Sequence, residues 1–343
     1  MHPAQIPKIN PDEFSRCEER KHKTDHRNVL SPIQKTDAAL KGSIERALRK
    51  DDVLRAIESD EIEVYVKDRV VHMSGHISGT TSQKRIQNAI RVVPGLLGIQ
   101  NNLVLDDNLT FEAAASLRAL EYTYGCKFFT GASHGVVSLN GTVHDENVKW
   151  LAEKCVAANP NVRAVINNIQ IPGTERKLEQ QPFLQPTIRA IIYFLDGISG
   201  VVRQVIINPN NRRVVAMILW GEFPNPKPDI STANSAEARS PARLIVVPMD
   251  LVRYMTKASG FLYINSRESN QYLDFNPARF STPENGWKAP YPYCPDDVLF
   301  SVEKLEVEYQ MLEQIPRSPS ALVWEEQPLT LQEEFLATDS LGG

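Results

Sequence analysis

One stretch of this chain is written twice. Residues Val70 to Leu105, VVHMSGHISGTTSQKRIQNAIRVVPGLLGIQNNLVL, return as Val136 to Ile171, VVSLNGTVHDENVKWLAEKCVAANPNVRAVINNIQI, and the two align without a gap. Val70 and Val71 fall on Val136 and Val137, Gly75 on Gly141, Pro94 on Pro160, and Asn101 and Asn102 on Asn167 and Asn168. Leu96 and Ile99 meet Val162 and Val165. A repeat of this regularity marks a duplicated structural unit, so the chain must build the same small fold twice in succession.

Within each copy, apolar residues first recur at every second position (Val71, Met73; Val137, Leu139, Val143), the period of a strand with one buried face. Helical spacing follows: Ile86, Ala89, Ile90 and Val93 in the first copy, and Val148, Leu151, Ala152, Cys155 and Val156 in the second. Thr80 with Gln83 fits a capping box, Asp145 fits an N-cap, and Pro94 and Pro160 end the helices. Gly98 to Leu105 and Ala164 to Ile171 alternate again, which predicts a strand parallel to the first across a right-handed crossover. A helix at Ala38 to Ile57 and a strand at Ile62 to Lys67 are expected ahead of the first copy, with counterparts at Phe111 to Tyr122 and Lys127 to Thr130.

This order, with a V-x-L-x-G strand, an apolar helix and a G-V/N-V-x-x-V-x-N-x-L ending, resembles the BON domain. Val71, Met73, Gly75, Gly95, Ile99, Asn101 and Leu103 carry the resemblance in copy one. Val137, Leu139, Gly141, Val162, Val165, Asn167 and Ile169 carry it in copy two, where Asn161 replaces the glycine, as suits a position of positive φ. Further on, Ile191 to Phe194, Val201 to Ile207 and Val214 to Trp220 read as strands, with Asn-Pro-Asn-Asn from Asn208 as a hairpin loop. Asp196, Gly200, Val202, Val205, Ile206, Pro209, Val214, Val215 and Pro248 are similar to the recurring positions of the PRC-barrel domain. The aromatic, proline-rich stretch from Tyr272 to Phe300 is expected to cover that barrel.

The fold class expected is therefore α+β: two small αββαβ units in tandem, then a small all-β barrel with an irregular C-terminal extension. The boundaries are an arm at 1–36, BON-like units at 37–107 and 108–173, a linker at 174–186, the barrel with its extension at 187–300, and an acidic tail at 301–343. The net charge of -4 is too small, and too evenly spread over the repeats, for nucleic acid to be an expected partner. Four scattered cysteines without a CxxC pair read as reduced thiols, and neither a signal peptide nor a membrane-spanning run is read. The expected location is cytoplasmic, either soluble or peripheral at the membrane.

No catalytic constellation, cofactor or metal is expected. Cys17, His22 and His26 offer too few ligands for structural zinc, and His72 and His76 read as solvent-facing polar groups on one strand face. Gly197 and Gly200 lack the rest of a phosphate loop. What the resemblances imply is a non-enzymatic adaptor, with BON-like modules for surface or phospholipid association and a barrel that docks a protein partner or a second copy. In the second copy, Phe128, Phe129 and Trp150, aided by Lys127 and Lys149, are the candidate lipid or partner contacts, because adjacent strand residues point opposite ways; the competing reading packs these rings between the two repeats as a domain joint. The alternative is a small-molecule sensor or enzyme whose pocket, between barrel and covering, uses Asp196, Asp250, Trp287, Tyr291 and Tyr293.

Overall fold

The first copy begins with α1 (Pro32–Lys50), and a single residue separates it from α2 (Asp52–Ile57). The expected helix is broken there because Asp51 is an N-cap: its carboxylate accepts from the Val53 and Leu54 amides, which restarts the helix. β1 (Ile62–Lys67), β2 (Val70–Ile77), α3 (Thr80–Arg91) and β3 (Gly98–Leu105) complete the unit, with β1 antiparallel and β3 parallel to the central β2. The capping box does not form, since α3 is capped by Gly79 without a side-chain bond. These elements come from a computed structural model that describes residues 32–58, 60–173, 183–224, 242–271 and 274–301. The expected arm, with Cys17, His22 and His26, and the acidic tail lie outside those residues, apart from the arm's last few and the tail's first.

The second copy repeats the plan: α4 (Asp106–Tyr124), β4 (Lys127–Ser133), β5 (Val136–Thr142), α5 (Glu146–Ala157) and β6 (Ala164–Gln170), with sheet order β4-β5-β6. Asp145 caps α5 by accepting from the Asn147 amide, as expected. No residue separates β3 from α4; the last strand of one unit becomes the first helix of the next.

Two devices recur in both copies. Gly75 and Gly141 have φ of 128° and 148°, where a side chain is strained. A Cβ on Gly75 would overlap the Glu61 carbonyl oxygen, and one on Gly141 would lie 2.6 Å from that of Lys127. The second device is a carboxylate on the first helix that accepts both amides of the first hairpin turn. Asp37 takes those of Asp68 and Arg69 at 3.0 and 2.9 Å; Asp106 takes those of His134 and Gly135 at 2.6 and 2.8 Å. All four turn residues have positive φ, so the carboxylates hold a turn the backbone would not keep unaided. Burial raises the pKa of Asp106 despite these bonds.

The third sheet runs β10 (Ala242–Pro248), β9 (Val214–Glu222), β8 (Ser199–Ile207), β7 (Ile191–Tyr193), β12 (Ser259–Leu262), β11 (Val252–Met255). β14 (Val298–Ser301) adds to β8 in parallel and pairs with β13 (Phe280–Ser281). Six flat strands would be about 24 Å across. Yet a 3-10 turn of three residues, Met249–Leu251, joins the two edge strands β10 and β11, and such a turn rises only about 6 Å. The sheet must therefore curl, although no ladder joins its edges among the described residues. The expected barrel is thus corrected to a curled open sheet.

The expected covering is partly a strand, β14, and partly core: Tyr293 is buried and its hydroxyl donates to the Pro186 carbonyl at 2.6 Å, while Trp287 meets Phe300 edge-on. Each sheet has its own apolar core, and the three cores share no residue. Among the described residues, Cys126 and Cys155 are free thiols, while Cys294, expected to be reduced, is disulfide-bonded.

Candidate docking face and the joint between the sheets

The outer face of the curled sheet carries a row of rings. Strand pairing sets Tyr193 on β7 beside Phe261 on β12, and Phe261 beside Tyr254 on β11. Tyr193 and Phe261 stack with centroids 5.3 Å apart. Tyr254 is 60% exposed and Phe261 44%, where inward neighbours such as Ile192 and Leu262 are fully buried. Leu195 and Tyr263, also exposed, lie two residues beyond Tyr193 and Phe261 and so extend the same face. Arg253 is the bulge residue of β11 and lines, with Tyr193, Leu195, Tyr254 and Phe261, an open groove of about 470 Å³. Aromatic faces with a single guanidinium and no carboxylate suit an apolar partner segment with a negative or carbonyl group near the arginine.

Two buried arginines tie the sheets together. Arg163, from the loop before β6, is 7% exposed. Its Nη1 lies 2.6 Å from Glu61 Oε2 of the first repeat and donates to the His134 carbonyl, while Nε donates to Gln185 Oε1 and the Tyr291 carbonyl. The Phe183 and Tyr291 rings lie 5.6 and 5.4 Å from its guanidinium carbon. Arg212, from the β8–β9 loop, donates to the Val162 carbonyl of the second repeat at 2.6 Å and to the Lys288 carbonyl at 2.7 Å, and lies over the Trp287 ring. Burial lowers its pKa to about 10. A backbone bond from the Val165 amide to the Asn211 carbonyl reinforces this contact.

His76, expected in solvent, is 2% exposed and belongs to this joint. Its Nε2 lies 2.7 Å from the Asn161 carbonyl oxygen, which only accepts, so the ring proton sits on Nε2, and the buried Nδ1 has no hydrogen-bond partner among the described residues. Tyr291 packs edge-on against the ring at 5.9 Å. Asn161, expected to supply a positive φ, does not have one; its carbonyl serves the joint instead.

The lipid candidates of the second repeat do not share a surface. Phe128 packs partly into the core, while Phe129 is 66% exposed on the opposite face of β4, in a row with Asn140 and Asn168. Trp150 is exposed on α5, whose Val148, Ala152 and Val156 cover the core face of the sheet, so it belongs to the other side of the unit. The amine over its ring, at 4.9 Å, is that of Lys154. Lys149 is half-buried and Lys127 exposed.

The five pocket candidates do not converge either. Tyr293 and Trp287 pack against the core, Tyr291 serves the joint, Asp196 accepts from the Ser266 amide and hydroxyl, and Asp250 is exposed. None of them lines the groove at Arg253 or a second one, of about 430 Å³, at Trp220 and Arg243. The rings the sequence reading missed were signalled by Tyr254, Phe261 and Tyr263 standing out of phase with the buried strand positions beside them.

Comparison with known proteins bears on the repeats. The BON domain family model matches residues 36–107 and 132–173, so both copies carry BON-domain sequence. No curated protein matches the chain. Among solved structures, it is similar to CdsD, a structural protein of the type III secretion system of Chlamydia trachomatis, at 14% identity and a TM-score of 0.34. That alignment covers 40% of this chain and 65% of that one. The C-terminal domain of CdsD is similar at 13% identity and a TM-score of 0.33, covering 47% and 79%. At these scores the likeness defines neither fold nor role.

Proposed function

We propose that the chain is a non-enzymatic adaptor that holds a protein partner, or a second copy of itself, on the outer face of the third sheet. The observation that carries this reading is the row Tyr193, Phe261 and Tyr254 beside Arg253: large rings are costly to leave in water, and aromatic residues with arginine are the usual anchors of interfaces. The PRC-barrel-like reading of residues 187–300 agrees with a docking role. BON-domain sequence in both repeats supports a second contact, with a phospholipid surface, for which Phe129 or Trp150 would each act separately.

A photo-crosslinker in place of Leu195, at the border of the row, tests the docking claim in cell extract and with purified chain. The expected result is one specific adduct, or a self-adduct with a matching dimer in sedimentation, that Tyr254→Ser with Phe261→Ser abolishes while circular dichroism is kept. An adduct pattern indifferent to both substitutions overturns it. Flotation with anionic and neutral vesicles, using Phe129→Ser and Trp150→Ser singly, tests the lipid contact; binding unchanged by either sinks that part alone.

A further inference from the structure

The contacts that join the first repeat to the rest of the molecule differ in kind from those within each unit. The three cores share no residue, and the contacts described across this boundary are polar or edge-on. They include His76 Nε2 on the Asn161 carbonyl, Glu61 on Arg163, the Lys257 amine on the Asp60 carbonyl at 2.8 Å, and the Tyr291 ring against His76. A boundary of this kind can part without unfolding either side, because no apolar core is opened. At its centre stands an imidazole with one nitrogen bonded and the other bare and buried.

We propose that this joint is an acid-operated hinge: a proton taken from solvent onto His76 Nδ1 releases the first repeat from the second repeat and the third sheet, with all three cores intact. The groups that face His76 are the Arg163 guanidinium from the loop before β6, Glu61 from the turn before β1, His134 from the β4–β5 turn and the Tyr291 ring from the C-terminal extension. A protonated ring gains no acceptor for its new N–H in this setting, and it sits near the positive charge of Arg163. Glu61 is the one acid among these groups, and its carboxylate is engaged by Arg163. The movement would turn about Leu105 and Asp106, where β3 passes into α4.

The direction follows from linkage. Burial, with Arg163 adding to it, lowers the His76 pKa from 6.5 to about 4 in the closed joint. Below 6.5 the freed ring binds a proton that the closed joint refuses, so the ratio of open to closed molecules rises tenfold per pH unit. It levels off near 4, where the closed joint also takes the proton, after a total gain of about 300-fold. Above 6.5 the joint is fully closed with respect to this group.

Small-angle scattering of the full chain between pH 7.5 and 4.5, with far-UV circular dichroism as the check on folding, tests the hinge. Wild type should expand on acidification with its secondary structure unchanged. His76→Gln, whose amide can still donate to the Asn161 carbonyl but does not titrate, should stay compact throughout, and His134→Asn should expand like wild type. Expansion that is absent in wild type, or equal in His76→Gln, overturns the proposal. Should His76→Gln fail to close at any pH, wild type decides: expansion whose midpoint coincides with the NMR titration of the His76 ring, with circular dichroism unchanged, supports the hinge, and expansion at a different midpoint refutes it.

Discussion

Arg163 Nη1 and Glu61 Oε2, 102 residues apart in the chain, lie 2.6 Å from each other across the boundary between the repeats. The arginine side chain is 9% exposed and the glutamate 28%, so the pair is partly withdrawn from water and also satisfies backbone carbonyls. Removing the arginine strands more acceptors than removing the acid. Arg163→Ala is expected to cost about 3 kcal/mol in urea unfolding and Glu61→Gln about 1 kcal/mol. Together with the double variant they should give a coupling of about 1 kcal/mol; strict additivity would mean the pair contributes nothing as a pair.

The two strand-end glycines should prove equally intolerant. Gly75→Ala and Gly141→Ala each combine a positive φ with a Cβ driven onto a carbonyl oxygen, so each should lose more than about 2 kcal/mol. Hydrogen exchange should localise the loss to the first unit for Gly75 and to the second for Gly141. A neutral effect at either position would show that the hairpin can shift to make room.

Asp37→Ala and Asp106→Ala should act alike, since each removes the acceptor for two turn amides at the same place in its copy. About 2 kcal/mol is expected from each, read by chemical denaturation. Asn in place of either aspartate should recover part of that, because one carbonyl oxygen can accept only from one side without turning its own donors toward the amides.

A chain ending at Gly173 is expected to fold, because each repeat closes its own core without residues of the third sheet. Cooperative thermal unfolding with dispersed amide resonances would bear this out. A chain that is expressed only in unfolded form would show that Arg212 and Gln185 are needed for the second repeat to form at all.

What could be read from the sequence was whatever local period controls. Alternation placed the strands of both copies to within a few residues, and Pro94 and Pro160 stand just beyond the ends of α3 and α5, while α1 and α4 each begin about a turn and a half earlier than expected. What could not be read depends on which element covers a given face. Parity put His72 and His76 on one side of β2, but only the tertiary fold brings Asn161, 85 residues away, over His76 and leaves His72 outside. Parity likewise turned Phe129 away from Phe128, yet the helix that carries Trp150 lies on the sheet's other face, so no shared patch could arise. The open edges of the third sheet escaped notice for the same reason, since strand signals say nothing of whether the last strand meets the first.

The direct passage of β3 into α4 also sets a counting rule for this chain. One residue added near Leu105 and Asp106 would turn everything downstream by about 100° about the helix axis and advance it about 1.5 Å. Arg163 would then face away from Glu61, and Asn161 away from His76. Natural variation in chains built this way should therefore collect as replacements at this seam and as changes of length elsewhere, which makes its spacing a more durable mark of the architecture than the identity of any residue in it.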